Sequence, residues 1–314
     1  MLPRVVPNVN VDPVLARFEA RVAAVSRRDM PLAMRTVRML QPPNWALEWC
    51  LPRWLAPVLD LDDGLVSELV LSNVLGLVSV RLEDDLADGE LAASDIVRAR
   101  RLAPALFDEA LSVYRSRLPT DSAFWPFLTR SLREWRASSS ERAASPNRAA
   151  PLKIATYGMC AMARGERYWP HLERCLDHAL RALVLYDDFC DWEADLAAGR
   201  WNAFVAEAVG ASRFGGEPTH AAVVVAMMTD GVVRKHFARI RVEALAAVAL
   251  AQEVGSNGLA THLANFGRES SGQGEAIEAR YAGAAERANA LIFGRRQTEH
   301  ERTGEARDGI SLRT

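Results

Sequence analysis

The stretch from Leu65 to Val80 constrains this chain more than any other. Leu65, Val66, Leu69, Val70, Val74, Leu75, Leu77, Val78 and Val80 leave no broad polar face on a helix. A helix apolar nearly all round has to be covered on every side, which places it in the middle of a bundle. Its longest uninterrupted run, LVLSNVLGLVSV at 69–80, is bounded by Glu68 and Arg81. That run falls short of the roughly 20 apolar residues a bilayer crossing requires. Elsewhere Ala, Leu, Arg and Glu dominate and strand-like alternation is rare, so the remaining elements read as helices. Helices are expected over 12–28, 64–87, 92–116, 122–137, 152–167, 170–198, 218–253, 257–266 and 274–296. Asp12 before Pro13 gives a cap-then-proline start, and Gly89, Gly199 and Gly255 stand near helix ends. The expectation is an all-α protein: one antiparallel helix-bundle domain over 1–296, followed by a polar C-terminal tail at 297–314.

Several function classes fall away early. A net charge of −2 over 314 residues creates no bulk field to draw nucleic acid or a membrane surface. Cys50, Cys160, Cys175 and Cys190 lie far apart with no CxxC pair, so neither a disulfide framework nor a zinc site is indicated. The opening residues MLPRVVPNVNVDP lack the apolar core of a leader. A cytoplasmic protein with reduced thiols and no membrane span is expected.

The central helix ends in carboxylates, RLEDDLADGE at 81–90. A second apolar helix does the same: HLERCLDHALRALVL runs into YDDFCDWEADLAAGRW, whose first residue is Tyr186. With Leu172 as origin and about 100° per residue, Leu183, Leu176 and Leu180 fall at about 20°, 40° and 80°. Asp187 then falls at about 60°, inside the leucine stripe, Asp191 at about 100° on its edge, and Asp188 at about 160°. Arg174, Asp177, His178 and Arg181 occupy the opposite, polar face. Carboxylates on a core stripe must be neutralised, paired or bound to a cation. Asp84 and Asp88, like Asp187 and Asp191, are one turn apart, about 5–6 Å, and can chelate or bridge cations. Asp85 is rotated away and can support them. Such carboxylates repel by about 1–4 kcal/mol per pair, a cost that hard divalent cations remove. Oxygen-only ligands select Mg²⁺ or Mn²⁺, and Mg²⁺ completes its shell with waters and substrate phosphates, so a diphosphate is the natural ligand.

These two clusters resemble the aspartate-rich motifs of class I isoprenoid synthases, the terpene synthase superfamily. DDLAD, Asp84 to Asp88, looks like the first motif. DDFCD, Asp187 to Asp191, looks like the second motif of trans-prenyltransferases, and DWEADLAAGRW is similar to the D-x3-D-x3-G-R pattern of squalene and phytoene synthases. The resemblance implies an all-α bundle around a deep apolar cavity, three Mg²⁺ at its mouth and a prenyl diphosphate substrate. It implies Asp84 and Asp88 as ligands with Asp85 in support, Asp187 and Asp191 as ligands with Asp188 in support, and Asp195 as a third ligand. Lys153, Arg200 and Arg148 are its candidates for holding diphosphate. The chain departs from the pattern in lacking the upstream Gly-Lys-x-x-Arg stretch for a second diphosphate. Arg98, Arg100 and Arg101 come later than the arginine pair of elongating enzymes, and a solvated face accounts for them equally well.

On these grounds the expected activity is a Mg²⁺-dependent terpene synthase ionising one prenyl diphosphate. The alternatives are a prenyltransferase joining two isoprenoid diphosphates and, outside enzymes, an acidic helical scaffold or binding protein. Trp45, Trp49, Phe124, Trp125, Tyr157 and Tyr186 are candidates for the cavity wall, with plain core packing as the simpler reading. Related folds often form homodimers, although no dimer seam is legible in the sequence.

Overall fold

The computed structural model describes residues 10–138, 145–211 and 219–308, and the backbone alone at 146, 148, 211, 285 and 288–308. Among the described residues every regular element is helical. In chain order they are α1 (Asp12–Ser26), α2 (Met30–Met39), α3 (Ala46–Leu59), α4 (Asp63–Ala87), α5 (Ala93–Ala110), α6 (Ser112–Arg117) and α7 (Phe124–Ser138). There follow α8 (Pro151–Met162), α9 (Trp169–Cys190), α10 (Trp192–Ala197), α11 (Ala203–Ala211), α12 (His220–Thr229), α13 (Val232–Glu253) and α14 (Asn257–Asp308). The chain divides into two compact units, one of Met1–Asp187 with Arg239–Ser270 and one of Asp188–Ala238 with Ser271–Thr314.

In the first unit α4 lies between two apolar clusters. Leu65 and Leu69 pack with α3, α6–α9, α13 and α14. Val66, Val70, Val74, Val78 and Leu82 pack with α1, α2, α3 and α5. That double burial is why the helix carries so few polar residues, each Leu or Val contributing about 1.5–3 kcal/mol when fully covered. Among the described residues α4 is also the one helix long and apolar enough to cross a membrane, and most of its apolar window is packed inside the protein. Small residues on one stripe let α5 approach. Gly76 faces Ala110, while Ser72 and Ser79 donate hydrogen bonds to the carbonyls of Ala110 and Ala103 at 2.6 and 2.7 Å.

Two helices absent from the sequence expectation fill residues 30–59. α3 contains Pro52 and Pro57, and proline inside a helix removes an N–H that its carbonyl partner needs. The carbonyl freed by Pro52 is that of Glu48, and Asn73 of α4 donates its Nδ2 to it at 3.1 Å. A neighbouring helix thus supplies the missing donor. α2 and the 3-10 turn before it are tied to α5 by two ion pairs. Arg101 grips the fully buried Asp29 with Nη2–Oδ1 at 2.6 Å and Nε–Oδ2 at 3.0 Å, and Arg35 reaches Asp95 at 2.5 Å. Arg98 stands 3.5 Å from Asp95. Arg101 and Arg35 therefore fasten helices, while Arg98 supports Asp95 within α5.

Other boundaries also move. The segment expected at 92–116 breaks at Leu111 into α5 and α6, and 218–253 breaks at Gly231, whose φ of 63° needs glycine. The expected break at 267–273 is absent, because α14 runs through it. Small residues there serve close packing: a Cβ on Gly267 would stand 3.0 Å from that of Ala244, and one on Gly274 would meet the Phe237 ring at 2.4 Å.

The second unit has an aromatic core. Phe189 meets Phe204 and Phe237 edge-on at 4.9 and 4.7 Å. His236 lies edge-on to Phe204 at 5.0 Å and places Nδ1 3.0 Å from Glu207 Oε2.

Candidate functional site

At the end of α4 the three aspartates divide their work. Asp84 and Asp88 reach solvent, whereas Asp85 is buried. The turn between them is closed by Asp88 N–H donating to the Asp84 carbonyl at 2.9 Å and Glu90 N–H to the Asp85 carbonyl at 2.9 Å. Arg81, one turn earlier, places Nη2 2.7 Å from Asp85 Oδ1 and donates to Glu90 at 3.2 Å. The approach to Asp85 is off line, so its buried Oδ1 has a charge partner but no hydrogen bond. Asp84 is open to water yet surrounded by enough protein that burial, seconded by the charge of Asp88, lifts its carboxyl to about 6. A carboxylate held above its usual range beside a second one is a poised cation ligand.

The second cluster does not continue one helix, as the expected 170–198 helix required. α9 stops at Cys190, Asp191 takes the N-cap position of α10 with φ −104° and ψ 6°, and Asp195 rides on α10. Asp187, the last residue of the first unit, and Asp191 are exposed. The helical repeat puts Asp187 on the core stripe and Asp188 off it, but the reverse holds: Asp187 is exposed, and Asp188 is buried and faces inward, drawn to the start of α11. Its Oδ2 accepts from Ala203 N–H at 3.0 Å, at the start of α11, and its carbonyl accepts from Asn202 Nδ2 at 2.7 Å. The same Nδ2 donates to Asp195 Oδ2 at 2.8 Å, and Asn202 Oδ1 caps α11 by accepting from Val205 N–H at 2.9 Å. Arg200 donates Nε to Asp195 Oδ1 at 3.0 Å, and its N–H closes on the Asp195 carbonyl at 2.8 Å across Gly199, where φ is 70°. The motif is a knot in which Asn202 is the central bolt. Asn202 was not among the residues singled out from sequence. The cue was an asparagine directly before the apolar run AFVAEAV, the signature of an N-cap.

Lys153 is buried on α8 and ion-paired with Asp177 of α9, so its charge is already met within the protein. The expected polar face of α9 is not simply a solvent face. Besides Asp177, it carries His178, whose Nδ1 lies 2.6 Å from Glu243 Oε2 on α13, and Arg181, which donates to the same oxygen at 3.0 Å. The side chain of Arg148 lies outside the described residues. Of the candidate wall aromatics, Trp49 is fully buried and donates Nε1 to the Leu40 carbonyl at 2.7 Å. Phe124 stacks on Tyr114, Tyr157 stacks on Phe127, and Tyr186 meets Phe266 edge-on. Three of the four cysteines are buried, with thiols pushed up by burial to about 11 at Cys50 and about 12 at Cys160 and Cys175, while Cys190 is exposed.

Among the described residues no three acid, histidine or cysteine side chains form a ready-made cage for an ion. Magnesium asks for less: one or two carboxylates, with waters and substrate phosphates completing its shell. The paired Asp84 and Asp88, hard oxygen donors with one carboxyl raised by its neighbour, fit that demand. No protein-family model matches the chain, and the comparison with curated proteins found no match.

Proposed function

We propose that the protein is a class I terpene synthase that ionises one prenyl diphosphate and releases diphosphate with a terpene hydrocarbon or alcohol. The observation that carries this reading is the end of α4, a largely buried apolar helix that terminates in two accessible carboxylates, one lifted to about 6. Asp84 and Asp88 would hold Mg²⁺ at the end of α4, and Asp187 and Asp191 are the carboxylates that the second motif would offer to a metal. Bound Mg²⁺ supplies Lewis-acid stabilisation of the charge that develops on the departing diphosphate. The remaining work belongs to the chain. Arg81 pairs with both Asp85 and Glu90 and so reduces the acid density beside Asp84. Asn202 and Arg200 fix Asp195 and with it the turn that presents Asp191. A buried apolar interior excludes the water that would quench an allylic cation, and aromatic faces attract such a cation by about 0.5–2 kcal/mol each.

The test is incubation of purified protein with Mg²⁺ and geranyl, farnesyl or geranylgeranyl diphosphate singly, with product detection by gas chromatography. A volatile product from one diphosphate alone, lost in Asp84→Ala and Asp187→Ala at unchanged helicity, supports the reading. Product appearing only when isopentenyl diphosphate is added identifies a chain-joining prenyltransferase instead. No turnover with any substrate or metal, together with binding of a basic partner weakened by the same substitutions, identifies a scaffold.

A further inference from the structure

The chain is acidic in sum, but its charges are not evenly spread. Residues 27–39 and 93–104 hold seven arginines and only two acids, Asp29 and Asp95. Both acids are buried, at 0% and 7% exposure. They are gripped from above by Arg101 and by Arg35 with Arg98. Within these two segments every exposed charged side chain is therefore an arginine.

The same ion pairs fix the layout. Arg101–Asp29 and Arg35–Asp95 each join the α2 region to α5, so the outward stripes of the two helices lie side by side. On α2 the helical repeat aligns Pro31, Arg35, Arg38 and Met39, and all four are exposed. On α5 it aligns Val97, Arg100 and Arg101 with Pro104, again all exposed. Arg27 and Arg28 extend the stripe at the start of α2. Met39 and Val97 are 61% and 68% exposed, two of the most exposed large apolar side chains among the described residues.

We propose that this α2–α5 face docks the protein on an anionic lipid surface. Guanidinium groups pair with lipid phosphates, while Met39 and Val97 enter the boundary between headgroups and acyl chains. Interfacial attachment of this kind combines a cationic face with exposed apolar side chains. A single-stranded nucleic acid would also meet the arginines, but it rewards stacked aromatics, whereas the exposed aliphatic Met39 and Val97 gain by entering a lipid boundary. The inference is independent of the catalytic reading, because docking is measured without substrate.

The experiment is cosedimentation of the full chain with phosphatidylcholine vesicles prepared with and without phosphatidylglycerol. The expected result is binding to the anionic vesicles only, weakened by added salt. Arg38→Glu with Arg100→Glu, and separately Met39→Asp with Val97→Asp, should each lower the partition coefficient at least roughly tenfold at unchanged melting temperature. Arg38→Lys with Arg100→Lys should retain binding and controls for folding. Failure of the unmodified protein to bind anionic vesicles overturns the proposal. So does binding that neither salt nor either pair of substitutions reduces, and so does preferential capture of a model RNA that displaces the vesicles.

Discussion

Replacing Asp84 by Asn should make the protein more stable at neutral pH while abolishing the proposed magnesium-dependent turnover. In the folded protein this carboxyl is held near 6, against an ordinary value of 3.8, by burial and by Asp88. A carboxyl raised on folding is protonated in both states only well below 3.8. Between 3.8 and about 6 the unfolded chain ionises first, so the stability this group allows falls as pH rises through that window and stays low above it. The separation corresponds to about 3 kcal/mol if taken whole. Asp84 is open to water, and solvent screening reduces the effect to about 1 kcal/mol. For a chain of this size that is about 2 °C in melting temperature. Calorimetry of both proteins at pH 7.5 and pH 4 is the assay. Asp84→Asn should melt about 2 °C higher at pH 7.5, and the gain should vanish at pH 4. Added Mg²⁺ should raise the melting temperature of the unmodified protein and leave the variant unmoved, because a bound cation offsets the same repulsion. A variant that melts lower at pH 7.5, or a magnesium response equal in both proteins, refutes the argument that this carboxylate is held at a cost.

Further substitutions test the ion pairs and packing described above. Arg101→Ala strands the buried Asp29 and should destabilise the fold more than Asp29→Ala, which leaves an arginine that can turn to water; urea titration compares the two. Because pairing holds the Asp29 carboxyl below its ordinary value, the stability it gives is present above 3.8 and lost as pH falls, so Arg101→Ala should flatten the acid side of the stability profile. Gly158→Ala would set a Cβ 2.3 Å from the Tyr114 ring and 2.9 Å from Phe124, and thermal melting should show a loss of about 1–3 kcal/mol from overpacking. Asn202→Ala removes the cap of α11 and the tie to Asp195. It should cost about 1 kcal/mol and lower turnover, whereas loss of stability with full turnover would separate the knot from the chemistry.

The all-helical architecture was legible because a helix apolar on every side admits few alternatives. α4 and both acid clusters were found for that reason. α2, α3 and α11 were not; α3 carries Pro52 and Pro57, each a local helix breaker, and the group that rescues it is Asn73, far away in sequence. The break at Asp191 was missed for a related reason. A uniform helical repeat places Asp187, Asp191 and Asp195 on one rod, but the pull of Asp188 and Asn202 on the start of α11 redirects the chain. Adjacent identical residues can thus have different occupations. Asp187 faces water while Asp188 serves as a buried cap, a distinction that only the next helix reveals.

The uneven burial of the thiols has a practical consequence. Cys50, Cys160 and Cys175 are shielded and hard to ionise, so a maleimide probe at neutral pH should modify Cys190 alone. That position falls between Asp187 and Asp191 in the second motif. A nitroxide attached there would be broadened by nearby Mn²⁺, giving a spectroscopic window on ion arrival in the unmutated polypeptide, before any product chemistry is known.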